Sequence, residues 1–126
     1  MKFAMAFNIG STNEERIEAF EMYRRAFDAK KLSEGTPPDG SDIHITIEVG
    51  GINILLAPGG KTEKILNNAM CCEFNFDSEN DLRKAYDILR KDSLHYSPIE
   101  GPYPWATVFA LVIDKYGICW ALYYNE

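Results

Sequence analysis

Residues 43–49, IHITIEV, alternate strictly between apolar and polar side chains. Ile43, Ile45, Ile47 and Val49 fall on one side, and His44, Thr46 and Glu48 on the other. Period two predicts a strand over 42–49 with one buried face. Gly50-Gly51 follow as a two-residue hairpin turn, and INILLA (52–57) is the returning strand. Upstream, KFAMAFNI reads as a strand. Ser11 with Glu14 three residues later is a capping-box start, and Ile17, Phe20, Tyr23 and Phe27 recur at helical spacing. Gly35, Pro37, Pro38 and Gly40 mark a loop.

The second half repeats this order. Residues 70–76 form a strand, Ser78 caps a helix, and Leu82, Ala85, Tyr86 and Leu89 are its apolar stripe. A Pro/Gly-rich loop near 97–104 precedes strands at 106–113 and 118–124, which turn at Asp114-Lys115-Tyr116-Gly117. Short strands near Lys31–Glu34 and Ser93–Ser97 complete each half. The repetition is also literal. Phe7, Asn8, Ser11, Asn13 and Arg16 recur as Phe74, Asn75, Ser78, Asn80 and Arg83, an offset of 67 (74 less 7). GINILL at Gly51 recurs as GICWAL at Gly117, an offset of 66 (117 less 51). Self-similarity at nearly one spacing signals a duplicated unit. The chain reads as a single α+β domain, 1–126. It is built of two βαβββ modules, about 1–59 and 69–126, joined by a polar linker at about 60–68.

A chain of 126 residues with 46% hydrophobic and 13% aromatic content has the material for a core. The formal net charge of -6 is a poor match to a phosphate backbone, so nucleic acid is not an expected partner. Apolar runs stop well short of about 20 residues, so no membrane span is expected. The three cysteines, Cys71, Cys72 and Cys119, are odd in number and two are adjacent. That makes a disulfide framework improbable and fits a reducing cytoplasm. No CxxC or HExxH spacing occurs. Gly59-Gly60-Lys61-Thr62 lacks the leading glycine of a phosphate-binding loop.

The βαβββ duplication resembles the vicinal-oxygen-chelate (glyoxalase/bleomycin-resistance) superfamily. HITIEVGGINILLAP (44–58) is similar to the third and fourth strands of its PhnB-like branch. DKYGICWALYY (114–124) is similar to its closing D-x-x-G-x-x-W pattern, and EAFEMYRRAFDAK to its first helix, with Met22, Tyr23, Phe27 and Asp28 at the pattern positions. The resemblance implies a mixed sheet curled about a cavity, helices outside, and a homodimer. It also implies metal ligands on the first and last strands of each module, positions that here read Ala4, Leu55, Cys71 and Ala121. None is the oxygen or imidazole donor such a metal needs. No metal or other cofactor is therefore expected.

Strand parity then assigns the cavity face: Ala4, Ala6 and Asn8; His44, Thr46 and Glu48; Cys71, Glu73 and Asn75; Cys119, Ala121 and Tyr123. Asn8, His44, Glu48, Glu73, Asn75 and Tyr123 are polar handles, with Trp105 of GPYPWA as a loop contact. That mix suits a small organic ligand. Glu73 and His44 are the catalytic candidates, with a solvated carboxylate and a structural hydrogen bond as the alternatives. Tyr103 and Trp105 either close over a ligand or pack at a seam. His95 is expected at the surface, Trp120 in the core, and Cys71 as a buried inert thiol. The expected function is small-molecule binding. The alternatives are a glyoxalase-type lyase or isomerase with metal ligands shifted to His44, Glu48 and Glu73, and a structural dimer with a vestigial cleft. Whether the chain is an enzyme is left open.

Overall fold

The computed structural model of the chain describes residues 1, 3–36, 38–39, 41–59 and 69–126. The proposed linker, with Gly60, Lys61 and Thr62, lies outside the described residues. Two compact units, Met1–Glu63 and Lys64–Glu126, divide the chain. In the first, β1 (Met5–Asn8), α1 (Asn13–Phe27), β2 (Lys30–Gly35), β3 (His44–Val49) and β4 (Ile52–Ala57) form a four-stranded sheet ordered β1-β4-β3-β2. In the second, β5 (Cys72–Phe76), α2 (Glu79–Arg90), β6 (His95–Tyr96), β7 (Val108–Ile113) and β8 (Cys119–Tyr124) give the order β5-β8-β7-β6. Both are βαβββ, as the repeat predicts. In each, the first and last strands pair in parallel and the other pairs are antiparallel.

The turns carry their own chemistry. Gly50 and Gly51 both adopt positive φ, 56° and 87°, which a primed hairpin turn demands. In the second hairpin the buried Asp114 carboxylate accepts from the Tyr116 and Ile118 amides at 2.9 and 3.0 Å. It also accepts from the Trp120 indole N–H at 3.0 Å. Asp114, Gly117 and Trp120 thus form one device: a carboxylate that closes the turn and satisfies the donor of a core indole.

The helices meet the pattern with two corrections. α2 is capped by Ser78 and buries Leu82, Ala85, Tyr86 and Leu89 as expected. α1 starts one residue later than expected: Thr12 is the cap, accepting from the Glu15 amide at 3.2 Å. The Glu15 carboxylate in turn accepts from the Ser11 amide. Adjacent Ser-Thr and Glu-Glu pairs allow two capping frames, and the later one wins. Ile17 is 47% exposed. At 3.6 residues per turn it lies about 120° round the helix from Tyr23, outside the buried stripe of Ala19, Met22, Tyr23, Ala26 and Phe27.

That stripe includes a charge. Arg16 is fully buried, and its guanidinium donates to the Ile9 carbonyl (3.1 Å), the Gly10 carbonyl (3.4 Å), Asn13 Oδ1 (2.9 Å) and Asp42 Oδ1 (3.1 Å). Asn13 Oδ1 also accepts from the Ile43 amide at 2.9 Å. One side chain therefore ties the end of β1, the start of α1 and the approach to β3. Its repeat counterpart, Arg83, is an exposed partner of Glu79 at 2.8 Å.

The cysteines correct another expectation. Cys71 and Cys119 form a disulfide, with Cα atoms 4.7 Å apart, and Cys72 is the free thiol. Residues 48 apart in sequence are brought face to face by the β5–β8 register, which pairs Cys72 with Trp120 next along. The pairing also removes the ground for reading the cysteines as thiols of a reducing compartment. Among the described residues no helix is long and apolar enough to cross a membrane.

Arg16→Met should cost about 2–3 kcal/mol, because it leaves buried carbonyls without donors. Arg83→Ala should cost about 0.5 kcal/mol or less, as exposed pairs do. Denaturant midpoints at constant slope check the contrast. Cross-linking across 48 residues restricts the unfolded chain by up to about 4 kcal/mol. Cys71→Ser should therefore lower the thermal midpoint by roughly 5–15 °C with an unchanged far-ultraviolet circular dichroism spectrum.

Candidate functional site

Each sheet has one helix to cover it, and strand alternation decides which side chains that helix receives. In the first unit Phe7, Ile45, Ile47, Ile54 and Leu56 are buried on the α1 side. The opposite face carries Ala6, Asn8, His44, Thr46, Glu48 and Leu55. In the second unit Ala110, Val112, Trp120 and Leu122 are buried on the α2 side. The opposite face carries Cys71, Glu73, Asn75, Phe109, Leu111, Cys119, Ala121 and Tyr123.

On the first sheet the three polar candidates do not gather. Asn8 pairs with Ala57 and His44 with Gly35, both near the same end of the sheet. Glu48 pairs with Asn53 and Lys30, four positions along β3 from His44, or about 13 Å at strand rise. Asn8 is exposed; His44 and Glu48 are half-buried.

On the second sheet they do gather. One row runs Asn75–Tyr123–Phe109, and the next runs Glu73–Ala121–Leu111. Glu73 and Asn75 are exposed, Tyr123 is half-buried, and Ala121 is buried. Trp105 touches the Phe109 end of the first row. Its ring meets Phe109 edge-on at 4.8 Å and stacks on Tyr103 at 4.9 Å with planes 4° apart. Offset stacking and edge-to-face contact are the favourable aromatic geometries.

The loop bearing Trp105 is fastened at several points. Glu100 and Phe109 exchange backbone hydrogen bonds at 3.0 and 2.8 Å. Tyr103 and Ala106 exchange another pair, and the Thr107 amide donates to the Tyr124 carbonyl at 2.9 Å. The Tyr103 hydroxyl donates to Glu100 Oε2 at 2.8 Å, and that bond to a carboxylate, followed by burial, pushes the phenol pKa up. Asn125 Nδ2 donates to the Trp105 carbonyl at 3.2 Å. Gly101 sits at φ 153°, where an added Cβ would run into the Thr107 carbonyl. Trp105 is nonetheless 53% exposed: a rigidly held indole facing solvent.

Sequence reasoning named Tyr103 and Trp105 but missed that their rings stack, and it missed Phe109 and Glu100. The alternation of VFALVI places Phe109 opposite Ala110 and Val112, a signal that marks it as a side chain of the helix-free face. Cys71 is neither a buried thiol nor a spare ligand, since its sulfur is bonded to Cys119. Cys72 is half-buried on the α2 side; desolvation, then the negative Asp114, push its thiol pKa up.

No protein-family profile matches the chain, and no curated protein matches it. Solved structures do. A PhnB protein from Bacillus cereus superposes at TM-score 0.78 with 20% identity, over 99% of this chain and 100% of that one. The fosfomycin resistance protein FosX from Listeria monocytogenes gives 0.67 with 10% identity, over 99% and 94%. A glyoxylase/bleomycin resistance protein/dioxygenase domain from Frankia sp. gives 0.64 with 15% identity, over 98% and 94%. The chain has the glyoxalase/bleomycin-resistance fold. The metal positions that the fold's resemblance implies are Ala4 and Leu55 in the first unit, and Cys71 and Ala121 in the second. Two alanines, a leucine and a disulfide-bonded sulfur offer no donor set for a divalent ion, so the residues present do not fit that metal. Among the described residues no three His, Cys, Asp or Glu side chains come together to hold one elsewhere.

Gly101→Ala should release the Trp105 loop. Acrylamide quenching should then rise for Trp105 while the buried Trp120 keeps its protected component, read from the two-component emission decay.

Proposed function

We propose that this chain binds a small, flat organic molecule on the helix-free face of its second sheet, in contact with Trp105, and does so without a metal at the fold's usual positions. The observation that carries this reading is the half-exposed indole of Trp105, held by Tyr103 and by Phe109, whose ladder row also carries Asn75 and Tyr123. An exposed aromatic ring on a pinned loop loses little freedom when a ligand stacks on it. Asn75 supplies both a donor and an acceptor, Tyr123 a hydroxyl, and Glu73 a carboxylate, which together orient a molecule whose ring rests on the indole. Apolar surface with a few directed polar groups is the usual make-up of a small-molecule site. The homodimer implied by the resemblance belongs to this reading as a proposal.

The metal-dependent alternative gains no support. His44 and Glu48 stand on one strand with parallel side chains about 13 Å apart. A single-residue mutant of FosX has been crystallised with Mn(II) and 1S,2S-dihydroxypropylphosphonic acid, whereas among the described residues of this chain no cluster of His, Cys, Asp or Glu is placed to hold such an ion.

Thermal-shift titration against a panel of planar aromatic metabolites and drugs tests the reading. A binder should raise the melting temperature with concentration, and Trp105→Ala should weaken its Kd by about tenfold. Fosfomycin with Mn(II) should give no shift. Stoichiometric metal in the purified protein would favour the lyase or isomerase reading, and an unresponsive panel the structural dimer.

A further inference from the structure

We propose that Cys71 is a site of reversible modification by low-molecular-weight thiols, which exchange with the Cys71–Cys119 disulfide and are later expelled by Cys119. The two sulfurs are unequal. Cys71 is exposed, whereas Cys119 is 4% exposed on the central strand β8. Thiol–disulfide exchange requires access to the sulfur attacked, so an incoming thiolate reaches Cys71. Its sulfur bonds to Cys71, the S–S bond to Cys119 breaks, and the electron pair leaves on Cys119, which takes a proton from water. The reverse step is intramolecular. The Cys119 thiolate attacks the Cys71 mixed disulfide and releases the small thiol. If a second small thiol attacks first, the products are a reduced protein and the oxidised small-molecule disulfide.

The ladder that holds the two sulfurs together does not depend on their bond. The first unit provides an internal control. It forms the same parallel ladder, Met5↔Ile54 to Asn8↔Ala57, with Ala4 and Asn53 at the positions equivalent to Cys71 and Cys119. In the second unit five consecutive pairs, Cys72↔Trp120 to Phe76↔Tyr124, run directly on from the disulfide. The core residues Val112, Trp120 and Leu122 lie on the other face, toward α2, which buries its own Leu82 and Leu89. Opening the bond therefore leaves Cys119 beside Cys71, at a high effective concentration for closing again. Cys72 does not compete. It points to the α2 side with its ladder partner Trp120, on the face of the sheet opposite the disulfide.

The test uses the full chain in glutathione buffers from fully oxidised to fully reduced, with acid quenching, alkylation and mapping by mass spectrometry. The proposal expects the Cys71–Cys119 pair to open and close with the buffer ratio while the circular dichroism spectrum stays folded. Cys119→Ala should accumulate one glutathione on Cys71, roughly tenfold above the wild type, where Cys119 clears the adduct. If Cys119→Ala fails to fold, a brief glutathione pulse on the oxidised wild type replaces it, and the transient adduct should map to Cys71. A bond that stays closed in the most reducing buffer would overturn the proposal. So would a bond that opens only as the folded spectrum is lost, or an adduct on Cys72 or Cys119.

Discussion

A four-stranded sheet has two faces, and each sheet of this protein has one helix. That constraint governs almost everything else. Because successive side chains of a strand point to opposite sides, α1 and α2 can receive only every second residue. Trp120 is buried against α2 while its neighbour Ala121 lies on the other face; Phe74 and Phe76 take one side of β5 while Glu73 and Asn75 take the other. The apolar set drives folding. The remaining set packs on no helix of its unit and carries polar and aromatic side chains together with the disulfide.

The two units solve the same folding problem with different residues on the face away from the helix. Ala6 and Leu55 in the first occupy the places of Glu73 and Ala121 in the second, and Ala4 and Asn53 those of Cys71 and Cys119. Asn8 and Asn75 are retained in both. The first unit keeps its buried charge, Arg16, as a tie between β1, α1 and β3. The second concentrates aromatic rings, the disulfide and an exposed carboxylate.

Regular alternation and turn glycines made the strands readable in the sequence. INILLA and the Gly50-Gly51 turn emerge where expected, since period two and positive φ are local demands. The helix-free faces followed from parity alone. Three features were not legible, each for a physical reason. Arg16 and Arg83 match in the repeat, yet Arg16 is buried because Asp42 and the Ile9 and Gly10 carbonyls surround it, neighbours no local pattern reveals. The disulfide depends on the register between strands 48 residues apart in sequence, whereas cysteine number and adjacency argued against pairing. The Tyr103–Trp105–Phe109 stack requires the 100–107 loop to fold back on β7, a tertiary event that a Pro-rich sequence hints at without fixing.

The central claim is that ligand recognition belongs to the helix-free face of the second sheet. Amide and indole chemical-shift mapping by NMR on isotopically labelled protein, with the strongest binder found among planar aromatic molecules, tests it most directly. The account predicts perturbations confined to Glu73, Asn75, Phe109, Tyr123 and the Trp105 indole N–H. Shifts centred instead on the α2 side, at Leu82, Tyr86 and Leu89, or on the first unit alone, would contradict it.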